Sequence, residues 1–182
     1  MLYFSDFQMI DLLIQTTWND EWKPDFIGTL IFVRDGSKVL LIRKKTGHGL
    51  GKVNGPGGKL ETGETLKTCA IRELAEETGL IVRDARCVTE LRFIDQEGPQ
   101  WLGFAFVTDS WTGTLEQTNE ADPFWVEIDQ IPYEQMWPDD EIWLPKVLAK
   151  SDCFVVYDFL LIGDRLIDHQ VQTSIEPSMF LG

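Results

Sequence analysis

The sequence predicts one α/β (α+β) domain, an α/β/α sandwich around a mixed, largely antiparallel sheet. Runs of β-branched and apolar residues occur in pairs around short turns, which is typical of antiparallel hairpins. One strongly patterned helix separates the first pair from the second, and another helix precedes the last pair. With 182 residues, 43% of them hydrophobic, and no internal repeat or linker, the chain suits one core. We expect a domain over residues 26–173, after an N-terminal extension (1–25) and before a tail (174–182).

The N-terminal extension has apolar residues at a rough helical spacing: Leu2, Phe7, Ile10 and Leu13/Ile14. Three roles stay open for it, which are packing on the domain, a dimer contact, or cover for a pocket.

The first strands form a predicted hairpin. Phe26–Val33 and Lys38–Lys44 are β-branched, apolar runs joined at the turn signal 35–37. Residues 45–56 carry four glycines and should form a loop before a short strand at Gly57–Leu60. Glycine-rich loops let backbone approach a ligand closely, which draws attention to this segment.

A helix is predicted over Leu66–Thr78, where no proline or glycine occurs. Thr65 is a suitable N-cap, and Gly79 stands where a left-handed C-cap residue belongs. Ile71, Leu74 and Ala75 are expected to pack into the core.

The later elements continue the pattern of paired strands. In chain order we expect strands at Ala85–Asp95, Gln100–Asp109 and Phe124–Ile128, a helix from Pro138 to about Lys150, and a closing hairpin of Cys153–Ile162 with Arg165–Gln172.

Three glutamates share one face of the first helix. Glu73, Glu76 and Glu77 stand at i, i+3 and i+4, where like charges cost a few tenths of a kcal/mol per pair. A solvated acidic face is the plain interpretation. A bound cation is the alternative, and hard oxygen ligands suit Mg²⁺ completed by substrate phosphates.

The register around these glutamates favours the second interpretation. Gly58 is followed after five residues by Glu64, and after seven more by the run Arg72–Leu80. Nine positions then match glycine-x5-Glu-x7-Arg-Glu-aliphatic-x-Glu-Glu-x-Gly-aliphatic. The segment resembles the loop-helix-loop of the Nudix hydrolases.

The resemblance implies a metal site for Mg²⁺, with Mn²⁺ possible. It would be formed by Glu73, Glu76 and Glu77 with the carbonyl of Gly58, and Glu120 would be a further ligand. Water would attack a phosphorus of a nucleotide, with either Glu73 or Glu120 as general base. Arg72 would orient the glutamates, and Glu64 would support them from outside.

Two further segments resemble MutT-type members, among them the mammalian MutT homologue, which hydrolyse oxidised purine nucleoside triphosphates. They are Lys52–Lys59 and Gln130–Asp140. The resemblance covers residues 26–173. It implies base-binding roles for Asn54, Asp139 and Asp140, stacking by Trp137, and a nucleotide contact by Lys44. Without this context, Pro-Asp-Asp is typical of a helix N-cap.

The chain departs from the family at two places. An aromatic residue before the base-binding asparagine is Val53 here, which we expect to remove ring area from the pocket wall. A nearby aromatic residue of the family is replaced by His48, which is either a loop residue or a new polar contact, and we favour the loop residue.

Charge and cysteine content limit the partners. The net charge is −14, and an acidic body disfavours a nucleic acid polymer, whereas the basic residues before the helix suit one small anionic nucleotide. The three cysteines form no CxxC motif, and no run is long enough to span a membrane, so we expect a cytoplasmic protein without a membrane contact. It would be a monomer or a homodimer.

These observations predict hydrolysis of oxidised purine nucleoside triphosphates such as 8-oxo-dGTP to monophosphate and diphosphate, as nucleotide-pool sanitation. A broader diphosphatase acting on dGTP or methylated purines is the first alternative. A non-catalytic nucleotide sensor is the second, and the intact glutamates argue against it.

Overall fold

A computed structural model describes residues 22–149 and 153–174. The predicted apolar stripe of the extension and most of the predicted tail therefore lie outside the described residues. The strands are β1 (Phe26–Asp35), β2 (Lys38–Lys44), β3 (Val53–Asn54), β4 (Gly57–Lys59), β5 (Leu80–Ile81), β6 (Arg86–Asp95), β7 (Trp101–Thr108), β8 (Thr112–Gly113), β9 (Ala121–Glu127), β10 (Phe154–Ile162) and β11 (Arg165–Ser174). The helices are α1 (Leu66–Thr78) and α2 (Asp140–Leu148), with short 3₁₀ turns at Ile128–Gln130 and Tyr133–Gln135.

The main sheet has nine strands and is mixed, as expected. Its order is β11-β10-β6-β7-β1-β2-β3, with β4 added to β1 and β9 added to β2. Two pairs are parallel, β1 with β7 and β6 with β10, and the other pairs are antiparallel. Strands β5 and β8 form a separate antiparallel pair.

The two helices cover opposite faces of this sheet. Helix α1 packs Leu66, Ala70 and Leu74 against one face, beside side chains such as Phe104. Helix α2 packs Trp143, Leu144, Val147 and Leu148 against the other face. The α/β/α sandwich predicted from the sequence is confirmed.

The predicted hairpins are confirmed, with differences at their ends. The turn after β1 pairs Asp35 with Lys38, and β10 pairs with β11 throughout. Strand β9 begins at Ala121, three residues before the expected start, because its polar first residues pair with β2. The two-residue strands β3, β5 and β8 were not expected, since two residues carry no periodicity.

Helix α1 has the predicted bounds and caps, but its buried face differs from the expectation. The Thr65 hydroxyl accepts a hydrogen bond from the Thr68 amide at 3.2 Å, and Gly79 has a φ of 75°. Ala75, expected in the core, is exposed, whereas Glu77 is buried. Glu77 continues the stripe of Ala70 and Leu74 by one turn, so the helix turns a carboxylate toward the sheet. Among the described residues, no helix combines the length and apolarity needed to cross a bilayer.

Candidate active site

Strand β4 brings two glycines directly against helix α1. Gly57 and Gly58 pair with Leu30 and Thr29 of β1. The amide of Gly57 donates to Glu77 Oε2 at 2.8 Å, and a Cβ added at Gly58 would overlap the carboxylate of Glu73. A larger residue at position 58 would therefore push the Glu73 carboxylate away from the strand.

Glu77 is the most enclosed carboxylate of this face. It is 1% exposed, and its Oε1 lies 3.1 Å from Lys44 Nζ at the end of β2. Burial raises the pKa of Glu77, and the positive charge of Lys44 acts in the opposite direction. The structure thus balances a desolvated carboxylate with one ammonium group and one backbone amide.

Arg72 gathers the other carboxylates around its guanidinium group. It donates to both oxygens of Glu64, at 2.7 and 3.2 Å, and to Glu73 and Glu76 at 2.9 and 3.0 Å. The hydrogen bonds from Arg72 lower the pKa of Glu64 to about 2. Burial raises the pKa of Glu73, against the opposing effect of Arg72. A planar five-donor group can order several carboxylates at once, which a lysine cannot do.

The donor set fits a hard cation, although the side chains point to their present partners. Among the described residues, no three side chains of His, Cys, Asp or Glu converge on one point as metal ligands. The reason is that Glu77 turns to Lys44 and Gly57, while Glu73 and Glu76 turn to Arg72. Carboxylate oxygens are the ligands that Mg²⁺ prefers, and a cation would relieve the raised pKa of Glu73 and Glu77.

Glu120 lies at the edge of this face, in the loop before β9. Its side chain is exposed, and its carbonyl accepts a hydrogen bond from the amide of Lys45 at 2.8 Å. The neighbouring Ala121 pairs with Lys44, the residue that contacts Glu77. Backbone pairing thus holds Glu120 near the α1 carboxylates without directing its side chain to them.

Two adjacent aspartates are buried on the opposite side of the sheet. Asp139 and Asp140 are 5% and 2% exposed. Asp139 accepts a hydrogen bond from Trp143 Nε1, and Asp140 accepts one from the Trp137 amide, each at 2.9 Å. Asp139 stands at the N-cap of α2 and Asp140 in its first turn, but the Asp139 side chain makes no cap hydrogen bond.

Neutral hydrogen bonds cannot offset this burial. Burial raises the pKa of Asp139 to about 6. Burial and the neighbouring Asp139 charge raise the pKa of Asp140 well above its ordinary value. Two carboxyls so close cannot both ionise readily, so the pair retains a proton near neutral pH.

Aromatic rings and lysines surround the aspartate pair. The His48 imidazole stacks on Trp137, with ring centroids 4.9 Å apart, and on Trp101 at 5.4 Å. Lys52 Nζ lies 4.4 Å from the centre of the Trp137 ring, and Lys59 Nζ lies 5.1 Å from that of Trp101. His48, expected to be a plain loop residue, is therefore part of the site.

Two adjoining cavities extend from the aspartate pair to strand β4, which packs on α1. The first, about 190 Å³, is lined by Trp137, Asp139 and Asp140, and the second, about 230 Å³, by Lys44, Gly57 and Gly58. They share five lining residues: Leu30, His48, Asn54, Phe93 and Trp101. The predicted base-binding and phosphate-binding residues thus face one continuous space, with Asn54 at its middle.

Other residues differ from the sequence expectations. Val53 is fully buried in the core between the sheet and α2, so it does not form a pocket wall. Lys44 contacts Glu77 as well as lining the second cavity. Trp101 and Phe93 were missed, because each is an ordinary apolar strand residue in the sequence and only the pairing of β6 with β7 brings them to the cavity.

Comparison with known proteins gives the same assignment as the geometry. The family model of the NUDIX domain matches residues 24–147. The oxidized purine nucleoside triphosphate hydrolase of Danio rerio is 37% identical over 79% of this chain and 92% of that protein. The enzyme of the same name from Mus musculus is 41% identical over 68% of this chain and 80% of that protein.

A solved structure agrees with the fold. The crystal structure of a MutT protein from Bacillus halodurans superposes with a TM-score of 0.71 and 28% sequence identity, covering 84% of this chain and 99% of that one. The residue register of α1, its contact with β4 and these similarities lead to one conclusion. The chain belongs to the Nudix hydrolase family.

Proposed function

We propose that this protein hydrolyses oxidised purine nucleoside triphosphates, such as 8-oxo-dGTP, to the monophosphate and diphosphate, with Mg²⁺ as cofactor. One observation carries the proposal: the cavity beside the buried Asp139–Asp140 pair adjoins a second cavity lined by Gly57 and Gly58, which lie against the carboxylates of Glu77 and Glu73. A nucleotide is the ligand class that needs an aromatic, hydrogen-bonding site at one end and a cation-rich site at the other. The names of the zebrafish and mouse relatives support the same substrate class.

At the base end, the aspartates and Asn54 would bind the polar edge of a purine. Because one carboxyl of the pair keeps its proton, the pair presents a donor and acceptors, which suits an edge that carries both. The indole of Trp137 would stack on the face of the base. Enclosure in an apolar cavity would make each unmatched polar group costly, which is the basis for selectivity.

At the phosphate end, Lys44 and the carboxylates of α1 would surround the triphosphate. Glu73, Glu76 and Glu77, with the Gly58 carbonyl, would hold Mg²⁺, which when bound lowers the pKa of water and neutralises phosphate charge. Arg72 holds Glu73 and Glu76 in place through its hydrogen bonds, whereas Glu77 is held by Lys44 and the Gly57 amide. Lys44, which contacts Glu77 and lines the second cavity, would contact a phosphate oxygen.

The reaction would be attack of water on a phosphorus atom of the triphosphate. The new P–O bond forms as the bridging P–O bond on the far side breaks, which releases the nucleoside monophosphate and diphosphate. The proton lost by water passes to a carboxylate, for which Glu73 and Glu120 are the two candidates. Glu73 is fixed by Arg72 and Gly58, whereas the exposed Glu120 can adapt to a bound substrate.

We propose that the protein works in the cytoplasm on this small molecule. The three cysteines, which all fall within the described residues, form no disulfide, as is usual in a reducing compartment.

The test is hydrolysis of a nucleotide panel with Mg²⁺, followed by separation of diphosphate from phosphate. We expect 8-oxo-dGTP to be a good substrate, dGTP a measurable and poorer one, and dCTP poor. Equal rates for dCTP and the purine nucleotides would contradict the assignment of a purine pocket, and only the hydrolysis typical of the family would remain supported. Tight purine binding without diphosphate release would instead indicate a sensor.

A further inference from the structure

His48 already occupies the stacking surface that a base would need. Its imidazole lies nearly parallel to Trp137, at 16°, and to Trp101, at 20°. At centroid distances of 4.9 and 5.4 Å these are offset-stacked contacts. His48 also lines both cavities, so it stands at the junction of the base end and the phosphate end.

The ring is held by stacking. Among the described contacts, no hydrogen bond reaches the His48 imidazole, whereas the backbone of its loop is closed by Gly51 and Lys52, whose amides donate to Lys44 and Gly49 at 2.8 and 2.9 Å. Burial lowers the pKa of His48, and the nearby Lys44, Lys59 and Lys52 add to this effect against Asp164. The ring is therefore a neutral imidazole near neutral pH, with the shape of the five-membered half of a purine.

Glycines flank His48 in its loop. Gly47 and Gly49 flank His48 with φ values of 69° and 80°, a region that other residues rarely adopt. Two such glycines let the segment change direction on both sides of one side chain.

We propose that His48 is an internal occupant of the base site, stacked on Trp101 and Trp137 in place of a purine, and that a nucleotide must displace it. Trp101 then becomes a second stacking surface for the base beside Trp137. This inference rests on the proposed function, since it concerns the same base pocket.

When an internal side chain occupies the base site, the apparent affinity for a nucleotide equals the intrinsic affinity multiplied by the fraction of molecules in which the site is open. Removing the occupant therefore tightens binding, whereas removing a stacking surface weakens it. The two directions separate an internal occupant from a pocket wall.

The experiment is calorimetric titration of the full chain with dGMP, without metal. We expect His48→Ala to bind dGMP about threefold or more tightly than the unmodified protein. His48→Phe, which keeps a planar ring, should show no such gain. Trp101→Ala should bind about 5- to 150-fold more weakly, as a lost base–aromatic contact does. Trp111→Phe, whose indole packs against Trp125 outside both cavities, is the matched control and should not change binding.

Intrinsic tryptophan fluorescence gives a readout without ligand. His48→Ala should change the emission of the unliganded protein, and dGMP should change the unmodified protein in the same direction. Weaker or unchanged dGMP binding by His48→Ala overturns the inference, as does a failure of dGMP to bind any variant. Absence of turnover with every purine triphosphate would overturn the proposed function instead, because the titrations do not depend on hydrolysis.

Discussion

Two groups of carboxyls, the glutamates of α1 and the aspartates at the start of α2, differ in the charge of their partners. On helix α1, Glu77 lies 3.1 Å from Lys44, and Glu73 lies 2.9 Å from Arg72. In the base pocket, Asp139 and Asp140 accept hydrogen bonds only from an indole and a backbone amide among the contacts that the structure describes. The first group is balanced by positive charge, and the second is balanced by a retained proton.

The partners of an acidic residue determine which of two tasks it suits, phosphoryl chemistry or recognition of a base. Carboxylates that lie beside cationic side chains can bind a metal ion instead, and the cationic side chains can then bind a phosphate. This suits phosphoryl chemistry. A carboxyl pair in an apolar cavity keeps a proton and can donate as well as accept, which suits recognition of a base. The glutamates of α1 would not suit base recognition, and the aspartate pair would not suit metal binding.

The largest effect is expected at the α1 end. Glu77→Gln keeps an acceptor for the Gly57 amide but removes the charge that a metal ion needs, so turnover should fall by more than about 100-fold. Melting should change little, because loss of the ion pair with Lys44 and relief from burying a charge act in opposite directions.

Steady-state kinetics with Mg²⁺ and a thermal melt check both parts. Glu116→Gln, an exposed carboxylate outside both cavities, is the control and should keep full activity. Near-normal hydrolysis by Glu77→Gln would remove the metal assignment.

Loss of the aromatic platform should come next in size. Trp137→Ala removes the stacking surface, so kcat/KM for purine triphosphates should fall by about 5- to 150-fold, the equivalent of 1–3 kcal/mol. A non-nucleotide diphosphate ester, which has no base to stack, should be affected far less. Equal losses for both substrates would mean that Trp137 serves only the core.

Selectivity should depend on the aspartate pair more than overall activity does. Asp139→Asn keeps an oxygen that can accept from Trp143 Nε1, but its amide nitrogen is a permanent donor, whereas the proton of the carboxyl pair can move. The ratios of kcat/KM among 8-oxo-dGTP, dGTP and dCTP should therefore shrink by about tenfold. Metal affinity should stay unchanged, since Asp139 lines only the cavity at the base end. A loss of metal affinity with preserved selectivity would reverse the roles of the two carboxyl groups.

Much of this arrangement could be predicted from the sequence, for local reasons. The bounds and caps of α1 follow from Thr65, Gly79 and the absence of helix breakers between them. The turns of the hairpins follow from glycines that accept a positive φ, such as Gly36. The base-binding role proposed for Asp139 and Asp140 rests on a family pattern, because a Pro-Asp-Asp run alone is typical of a helix cap.

The rest depends on contacts between distant segments. Trp101 meets His48 only after β7 and the loop between β2 and β3 are placed in the fold. Which residues of α1 are buried depends on where strand β4 meets the helix, since the amide of Gly57 bonds the buried carboxylate of Glu77. Charge partners such as Lys44 and Glu77 are 33 residues apart, a distance at which a sequence pattern carries no geometry.

The smallest expected effect concerns stability and pH. Because burial raises the pKa of Asp139 to about 6, the folded state holds its proton longer than the unfolded chain does. That contribution to stability is complete below about pH 4, the ordinary range of aspartate, and is lost as pH rises through about 6. Asp139→Asn should therefore gain melting temperature over the unmodified protein above pH 6, by about 2–4 °C for each kcal/mol recovered.

Thermal melts between pH 4 and 8 test this stability profile. Asp129→Asn, an exposed aspartate in the 3₁₀ turn after β9, is the control and should follow the unmodified protein. A constant difference across the whole pH range would show that the gain comes from something other than the proton.

The proton of the aspartate pair is the central element of this account, and carboxyl ¹³C NMR observes it directly. Aspartate-labelled protein without nucleotide would be titrated from pH 3 to 8, with Asp139→Asn and Asp140→Asn assigning the two resonances. We expect at least one carboxyl of the pair to titrate near or above pH 6, and the remaining one to shift toward the ordinary aspartate range when its neighbour becomes asparagine. If both resonances titrate with midpoints near pH 4, as free aspartates do, the division between a charged end and a protonated end is wrong.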